Sequence, residues 1–451
     1  MTKDLTSGNP FRLILGFSIP VWLGFLFQQF YTVVDTVIVG RILGVDALAA
    51  VGCTGSVNFL LIGFCMGLCG GFAIPVAQRF GARDYSTMRR FISNIIYLSI
   101  LFSVLMTVFT VLLSKRILIW MHTPSNIIDM ANSYILVLYL GIPFTILYNI
   151  GSGILRALGD SKTPLYFLIL AALLNIVLDL VFILVFHLSV SGAALATVIS
   201  QGVSGVLCVF YMVKHFPIIR LAKEEKGYNS HCTRVLLANG IPFGLQYSIT
   251  AIGSIILQSS VNGLGSGAVA AVTAGVKVNC FFCTTFDAMG TTMASYAGQN
   301  VGAGAFDRVK KGIWCCTIIS AVYSVMALLV LYFFGANLAT LIVGRNNPEV
   351  VADAHYYLVI TALFYLTLAW VNIVRFGIQG MGYGRLAIFS GVFEMIARTV
   401  VALLVPVWGF AAVCAAGPVA WILADLFLFP AFYWSVKNTK RNFELHHAQN
   451  A

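Results

Sequence analysis

Leu43-Gly-Val-Asp-Ala-Leu-Ala-Ala-Val51 returns as Leu264-Gly-Ser-Gly-Ala-Val-Ala-Ala-Val272, an offset of about 221 residues. Self-similarity at a fixed offset marks a structural unit that occurs twice. Ala77-Gln-Arg-Phe-Gly-Ala82 answers Gly298-Gln-Asn-Val-Gly-Ala303 at the same spacing. Within a residue or two, Ile19-Pro20 answers Ile241-Pro242, and Asn149-Ile150 answers Asn372-Ile373. The chain therefore reads as an N-lobe over 1–216 and a C-lobe over 233–451. Between them 217–232, with Pro217, Lys223, Glu224, Glu225, Lys226 and Gly227, reads as a charged cytoplasmic linker.

Each copy is a bundle of membrane helices. Of 451 residues, 59% are hydrophobic and only 10% charged, a balance that excludes an ordinary soluble fold. Apolar stretches of about 18 residues or more, bounded by charges, Pro or Gly, give about twelve spans. They lie near 11–39, 46–80, 90–114, 127–157, 163–187, 191–215, 233–263, 268–301, 312–334, 350–380, 385–407 and 411–436. The runs are continuous where strands of a membrane barrel would alternate. The expected fold is thus an all-α integral membrane protein of twelve transmembrane helices in two six-helix lobes. An even number of helices per lobe leaves both copies in one orientation, related by a pseudo-twofold axis along the membrane normal around a central cleft. That is transporter architecture.

The net charge of +11 would suggest a polyanion partner in a soluble chain, but its placement has another cause. With the N-terminus inside, cytoplasmic segments hold 20 of the 27 Lys and Arg, and outer loops hold four: Arg41, Lys115, Arg116 and Arg345. Lys277, Arg375 and Arg398 fall within spans. The asymmetry follows the positive-inside rule, so both termini are expected in the cytoplasm, the partner is the lipid bilayer of the plasma membrane, and nucleic acid is not expected. The first residues lack a cleavable signal pattern, so the first span is expected to remain. Ten cysteines lie mostly in apolar segments as small hydrophobes, and Cys280 and Cys283, though spaced C-x-x-C, have no partner ligands nearby. The histidines sit at helix ends or in loops, with no zinc-protease or nucleophile-elbow motif, which argues against an intramembrane enzyme. A phosphate-binding Gly-x-x-x-x-Gly-Lys-Ser/Thr loop is absent too, which argues against an ATP-driven pump.

Five acids lie inside apolar stretches: Asp35, Asp179, Asp287, Glu394 and Asp425. A carboxylate in hydrocarbon is expensive and marks function by default. At ~1.5 Å per residue, distance to a helix end gives depth. Asp35 lies five residues before Gly40, Asp179 eight before His187, Thr197 six after Ser191, and Tyr134 about seven into the fourth span. All four fall at one level in the outer half of the N-lobe, with Asn175 one turn deeper. Two carboxylates at low dielectric repel, so the pair is expected to hold a proton or a cation between them. Oxygen ligands from Asp35, Asp179, Thr197 and Asn175 suit Na+, and the same pair suits H+. A purely structural role, with the acids bonded to Tyr and Asn neighbours, is the alternative.

Pro20 interrupts the backbone bonding of the first span, which permits a bend there and equally suits a static membrane proline. In the seventh span Gln246, Thr250, Ser254 and Gln258 form a polar stripe without a carboxylate, fit either to line a wet cleft or to bind helices together. Glu394 and Arg398, four apart, are expected to pair, with Lys277 and Arg375 available to Asp287 and Asp425. The C-lobe charges thus read mainly as structural ion pairs.

Together, Val34-Asp-Thr-Val-Ile-Val-Gly40 after Pro20, Gln78-Arg-Phe-Gly-Ala-Arg-Asp84, Gln299-Asn-Val-Gly-Ala303 and Arg156-Ala-Leu-Gly-Asp-Ser-Lys-Thr-Pro164 resemble the multidrug and toxic compound extrusion (MATE) transporters over essentially the whole chain. The likeness is to the bacterial and archaeal branch with an N-lobe cation site. It implies export of amphipathic, often cationic drugs coupled to entry of H+ or Na+, by alternating access of two lobes, without a cofactor and with no metal beyond Na+ at the coupling site. It places that site at Asp35, Asn175, Asp179 and Thr197, with Tyr31, Tyr134 and Asn149 in the surrounding network and Gln28 and Gln201 lining the cavity. A monomer is expected. Some relatives carry a glutamate on the seventh span and an aspartate on the tenth, where this chain has Thr250 and Ala369, so a C-lobe sodium site is not expected. A lipid-linked precursor flippase on a related fold is the other reading, and it would need Lys277, Arg375 and Arg398 to line a cationic cleft.

Overall fold

A computed structural model describes residues 4–121, 123–344 and 347–450, apart from the side chains of Val45 and 446–450. Arg345, one of the outer-loop cations, lies outside these residues. With no water in the bilayer core, each span must satisfy its own backbone, and the described residues are accordingly helical. In chain order the helices are α1 (Pro10–Ile42), α2 (Val45–Gly81), α3 (Tyr85–Trp120), α4 (Ile128–Leu140), α5 (Ile142–Ala157), α6 (Lys162–Leu180) and α7 (Ser189–His215). After them come α8 (Ser230–Asn262), α9 (Ser266–Gly302), α10 (Phe306–Val343), α11 (Pro348–Leu363), α12 (Tyr365–Gly380), α13 (Gly384–Trp408) and α14 (Phe410–Asn450). Ten spans are single helices, and two bent pairs bring the total to twelve.

The fourth and tenth spans, expected over 127–157 and 350–380, are each a bent pair of helices. α4 and α5 meet at 46°, where Gly141 and the N–H-less Pro143 interrupt the bonding. α11 and α12 meet at 51° around Phe364, which has no proline nearby. There the Thr367 hydroxyl donates to the Phe364 carbonyl at 2.7 Å, a local bond that competes with the helix ladder. The fifth span also departs from a plain helix, because α6 ends in a π turn over Val181–Val185.

By compactness the chain forms two units, and the cuts fall inside helices. One unit is Leu23–Gly244; the other joins Leu5–Trp22 to the residues from Leu245 onward. The first therefore holds the end of α1, α2 to α7 and the start of α8. Its α2 and α8 cross on glycines: a Cβ on Gly67 would sit 2.6 Å from the Phe243 carbonyl oxygen, and one on Gly71 2.6 Å from that of Asn239. On the other side, a Cβ on Gly240 would come within 2.4 Å of the Phe72 ring. Such small-xxx-small spacing lets helix backbones touch where no hydrophobic drive exists between helices.

The stretch after α7 is more than a charged linker. Phe216 and Ile219 are buried, and Arg89 of α3 grips Glu225 with two bonds, Nε to Oε2 at 2.6 Å and Nη2 to Oε1 at 2.7 Å. Ser86 also donates to Glu225, and Asn94 accepts from the Asn229 amide at 2.9 Å. In the second unit the segment before α1 is held in the same manner by α9 and α10. Leu5, 1% exposed, donates from its amide to Gln299, while Arg308 donates to the Leu5 and Gly8 carbonyls and to Asn300.

Two predictions follow from these contacts. Gly71→Ala forces a methyl onto backbone, costing about 1–3 kcal/mol against a helix-propensity gain of about 1. Its thermal midpoint in detergent should fall, whereas Gly52→Ala, with open space around it, should leave the midpoint unchanged or higher. The Arg89 guanidinium holds the Glu225 carboxyl down at about 2, below its ordinary 4.5. The clasp's contribution is therefore full above about 4.5 and is lost as pH falls toward 2. Protease cleavage within 217–229 should accelerate over that window in the native protein, and Glu225→Gln should show the acid rate already at neutral pH.

Candidate functional site

The polar residues of the first unit converge from α1, α4, α5, α6 and α7. Asp35 and Asp179 are buried, at 8% and 0% exposure, and their carboxyl groups lie within hydrogen-bonding reach of each other. Among the described residues no amide or hydroxyl donor reaches either oxygen of Asp179 or Oδ1 of Asp35. Tyr134 is buried beside both acids. Asn175 donates from Nδ2 to the Thr197 hydroxyl at 3.3 Å, which leaves its Oδ1 buried and unbonded. Asp35 and Asp179 are thus brought together, with Tyr134 within electrostatic reach of both, and the Asn175–Thr197 bond joins α6 to α7.

A second layer lies one to two turns further in. The Tyr31 hydroxyl lies beside the side chains of Gln28 and Gln201. Gln201 in turn accepts from the Thr145 hydroxyl at 2.7 Å, and Asn149 donates to the Thr145 carbonyl at 2.8 Å. Bonds therefore join Gln201, Thr145 and Asn149, with Tyr31 and Gln28 beside Gln201. Thr145 is the member that sequence reasoning missed. Its signal was its place one turn before Asn149 and just past the Gly141–Pro143 break. The π turn was also missed; it begins two residues after Asp179 and changes the side-chain register there, a feature frequent at functional sites.

A carboxyl pair without a donor cannot hold two negative charges in an apolar setting, since the desolvated ions repel. Such a pair takes up one proton or a hard cation. The unbonded Asn175 Oδ1 and the Thr197 hydroxyl add oxygen ligands of the kind that suit an alkali cation.

The second unit has the opposite character. Arg375 donates to Glu394 at 2.8 Å and to Asn372 at 3.0 Å. Arg398 donates to Glu394 at 3.3 Å and also to the Thr250 carbonyl and the Ser254 hydroxyl. The Glu394–Arg398 pair is thus present, with Arg375 on the other carboxylate oxygen. For the remaining acids the ion-pair expectation needs correction. Asp287 and Lys277 are exposed. Asp425, 5% exposed, receives no hydrogen bond at either oxygen, because the terminal nitrogens of Arg375 are committed to Glu394 and Asn372. In the polar stripe of α8, Gln246 is buried and accepts from Gln379 at 2.5 Å, so it binds helices together, whereas Gln258 is exposed and bonds only locally to Asn262.

The family model described as MatE matches residues 20–181 and 242–404, the same two stretches that repeat in the sequence. Probable multidrug resistance protein YpnP of Bacillus subtilis (strain 168) is 33% identical over 379 residues, 83% of each chain. YoeA of the same organism, also named a probable multidrug resistance protein, is 30% identical over 393 residues, 85% of this chain and 84% of its own. A solved outward-facing conformation of a multidrug resistance MATE family transporter of the MOP superfamily superposes with a TM-score of 0.91 at 22% identity, over 97% of this chain and 98% of that one. That likeness shows a shared fold, and with both repeats matched and a relative one-third identical along most of its length, this chain belongs to the MatE family.

Proposed function

We propose that the protein is a secondary antiporter that exports amphipathic, often cationic small molecules from the cell in exchange for an entering cation, with Asp35 and Asp179 as the coupling site. The observation that carries this reading is the meeting of two buried carboxyl groups that no donor neutralises. Their charge state must change with any ion that binds. A proton is the simplest occupant, because carboxyl groups already within hydrogen-bonding reach share one without rearrangement. Sodium is the second reading, favoured by the unbonded Asn175 Oδ1 beside Thr197.

The layer of Gln28, Tyr31, Gln201 and Asn149 offers hydrogen bonds and an aromatic face one to two turns from the acids, suited to an amphipathic substrate. Loading the acid pair removes negative charge that would otherwise attract a cationic drug, so cation entry favours drug release. Pro20 supplies a place where α1 can bend as that charge changes. The two Bacillus subtilis relatives are named for multidrug resistance, and a Staphylococcus aureus (strain NCTC 8325 / PS 47) relative, 26% identical over 264 residues, is named a multidrug export protein. The flippase alternative loses support because Arg375 and Arg398 are engaged by Glu394, Asn372, Thr250 and Ser254, leaving little free cationic surface for a pyrophosphate.

Asp35→Asn and Asp179→Asn should each abolish gradient-driven efflux of a fluorescent cation in everted vesicles while the protein stays folded in the membrane; normal efflux by both variants would sink the proposal. With the wild type, a pH gradient alone should drive transport and a sodium gradient alone should not. The reverse result would assign the site to sodium. Thr145→Val removes the donor to Gln201, a loss of about 1 kcal/mol, and should slow efflux about fivefold without changing which gradient drives it.

A further inference from the structure

The second unit contains a buried carboxyl group that the coupling site does not use. Asp425 lies about 22 Å along α14 from Phe410, at ~1.5 Å per residue, and is 5% exposed. Both of its oxygens are buried without a hydrogen-bond partner. The charged groups around it come from three helices. Glu394 of α13 and Arg375 of α12 lie within electrostatic reach of it, and Asp287 of α9 within electrostatic reach of Arg375. Arg398 of α13 is taken up by Glu394 and α8, Lys277 of α9 is exposed, and Asp353 of α11 sits beside Cys414, about three turns earlier on α14. Three carboxyl groups therefore face two guanidinium groups.

Arg375 is itself only partly spent. Its two terminal nitrogens donate to Glu394 and Asn372, while its Nε–H is buried with no acceptor. An unused donor and an unused acceptor pair thus occur in one cluster, the donor on the residue that acts on the acceptors. A buried carboxylate left without donors costs several kcal/mol, and a proton removes that cost.

We propose that Asp425 is a second proton-binding site, in the unit that lacks the Asp35–Asp179 pair, and that Arg375 is its switch. In the arrangement seen, Asp425 is a carboxylic acid and Arg375 is held by Glu394. When the Asp425 O–H bond breaks and the proton leaves to water, the resulting carboxylate takes a hydrogen bond from Arg375, whose hold on Glu394 loosens while Arg398 keeps Glu394 paired. Reprotonation restores the first arrangement. The event on α14 is thereby passed to α12 and α13. This site involves none of the residues of the first unit, so it stands or falls separately from the antiport reading.

The test is infrared pH-difference spectroscopy on the full-length protein in proteoliposomes, which observes the C=O stretch of a protonated carboxyl group without requiring transport. The wild type should show a component that disappears on raising the pH. Asp425→Asn, the neutral isostere of the protonated form, should remove that component, while Asp425→Glu should retain one and Asp35→Asn and Asp179→Asn should leave it in place. Arg375→Gln removes the cation that receives the carboxylate, so the component should persist at least about one pH unit further into the alkaline range. Arg375→Lys should bring it back toward the wild-type position. A spectrum unchanged by Asp425→Asn would overturn the proton site, and a component indifferent to Arg375→Gln would overturn the switch. Loss of drug efflux in Asp35→Asn with the Asp425 component intact would keep the two proposals distinct.

Discussion

The organising constraint is the cost of a carboxyl group in an apolar interior. Such a group must meet a donor, a cation or a proton. The two units answer this differently although they derive from one repeat. In the first, Asp35 and Asp179 meet each other, with Tyr134 alongside. In the second, Glu394 lies between Arg375 and Arg398. One scaffold therefore carries an acid pair whose inner oxygens meet no donor among the described residues and an acid held between two arginines. The asymmetry lies in side chains, while the helix plan and the lead-in clasps are shared.

Depth was legible in the sequence because a helix converts residue number into distance, so counting from span ends placed Asp35, Asp179, Tyr134 and Thr197 at one level. Lateral neighbours were less legible. Which helix turns which face toward another depends on packing across the whole unit, and Thr145, bonded to a glutamine 56 residues away, carries no local mark of that partner. Breaks divide in the same way. The bend between α4 and α5 has Gly141 and Pro143 to announce it, whereas the bend at Phe364 has neither a glycine nor a proline beside it. The resemblance to MATE transporters supplied Tyr31, Gln28, Gln201 and Asn149; Thr145 ties Gln201 to Asn149, and Tyr31 and Gln28 lie beside Gln201.

The charged stretch at 217–229 shows how composition misleads. Lys223, Glu224, Glu225 and Lys226 look like a solvated linker, since a charge run is usually a wet surface. Yet Glu225 is 6% exposed and forked by Arg89, while the apolar Phe216 and Ile219 anchor the segment beside it. The reason is a single long-range arginine on α3, and its counterpart, Arg308 on α10, holds Leu5 and Gly8 in the same manner. Arg89 and Arg308 are separated by nearly the repeat offset, so the two clasps are one device used twice.

That duplication bears on the prolines. Pro20 and Pro242 are repeat equivalents, and each lies just before the point where its helix passes from one compact unit to the other, after Trp22 in α1 and after Gly244 in α8. The lead-in to each of these helices is clasped to the unit that holds the helix's first half. Ahead of the crossing the chain is therefore fixed at its start by an arginine and, in α8, by the Gly240 crossing with α2. Freedom is left at the proline, where one backbone hydrogen bond is already missing and bending costs least. A helix held at its start and missing a backbone bond at its proline bends there at the least cost.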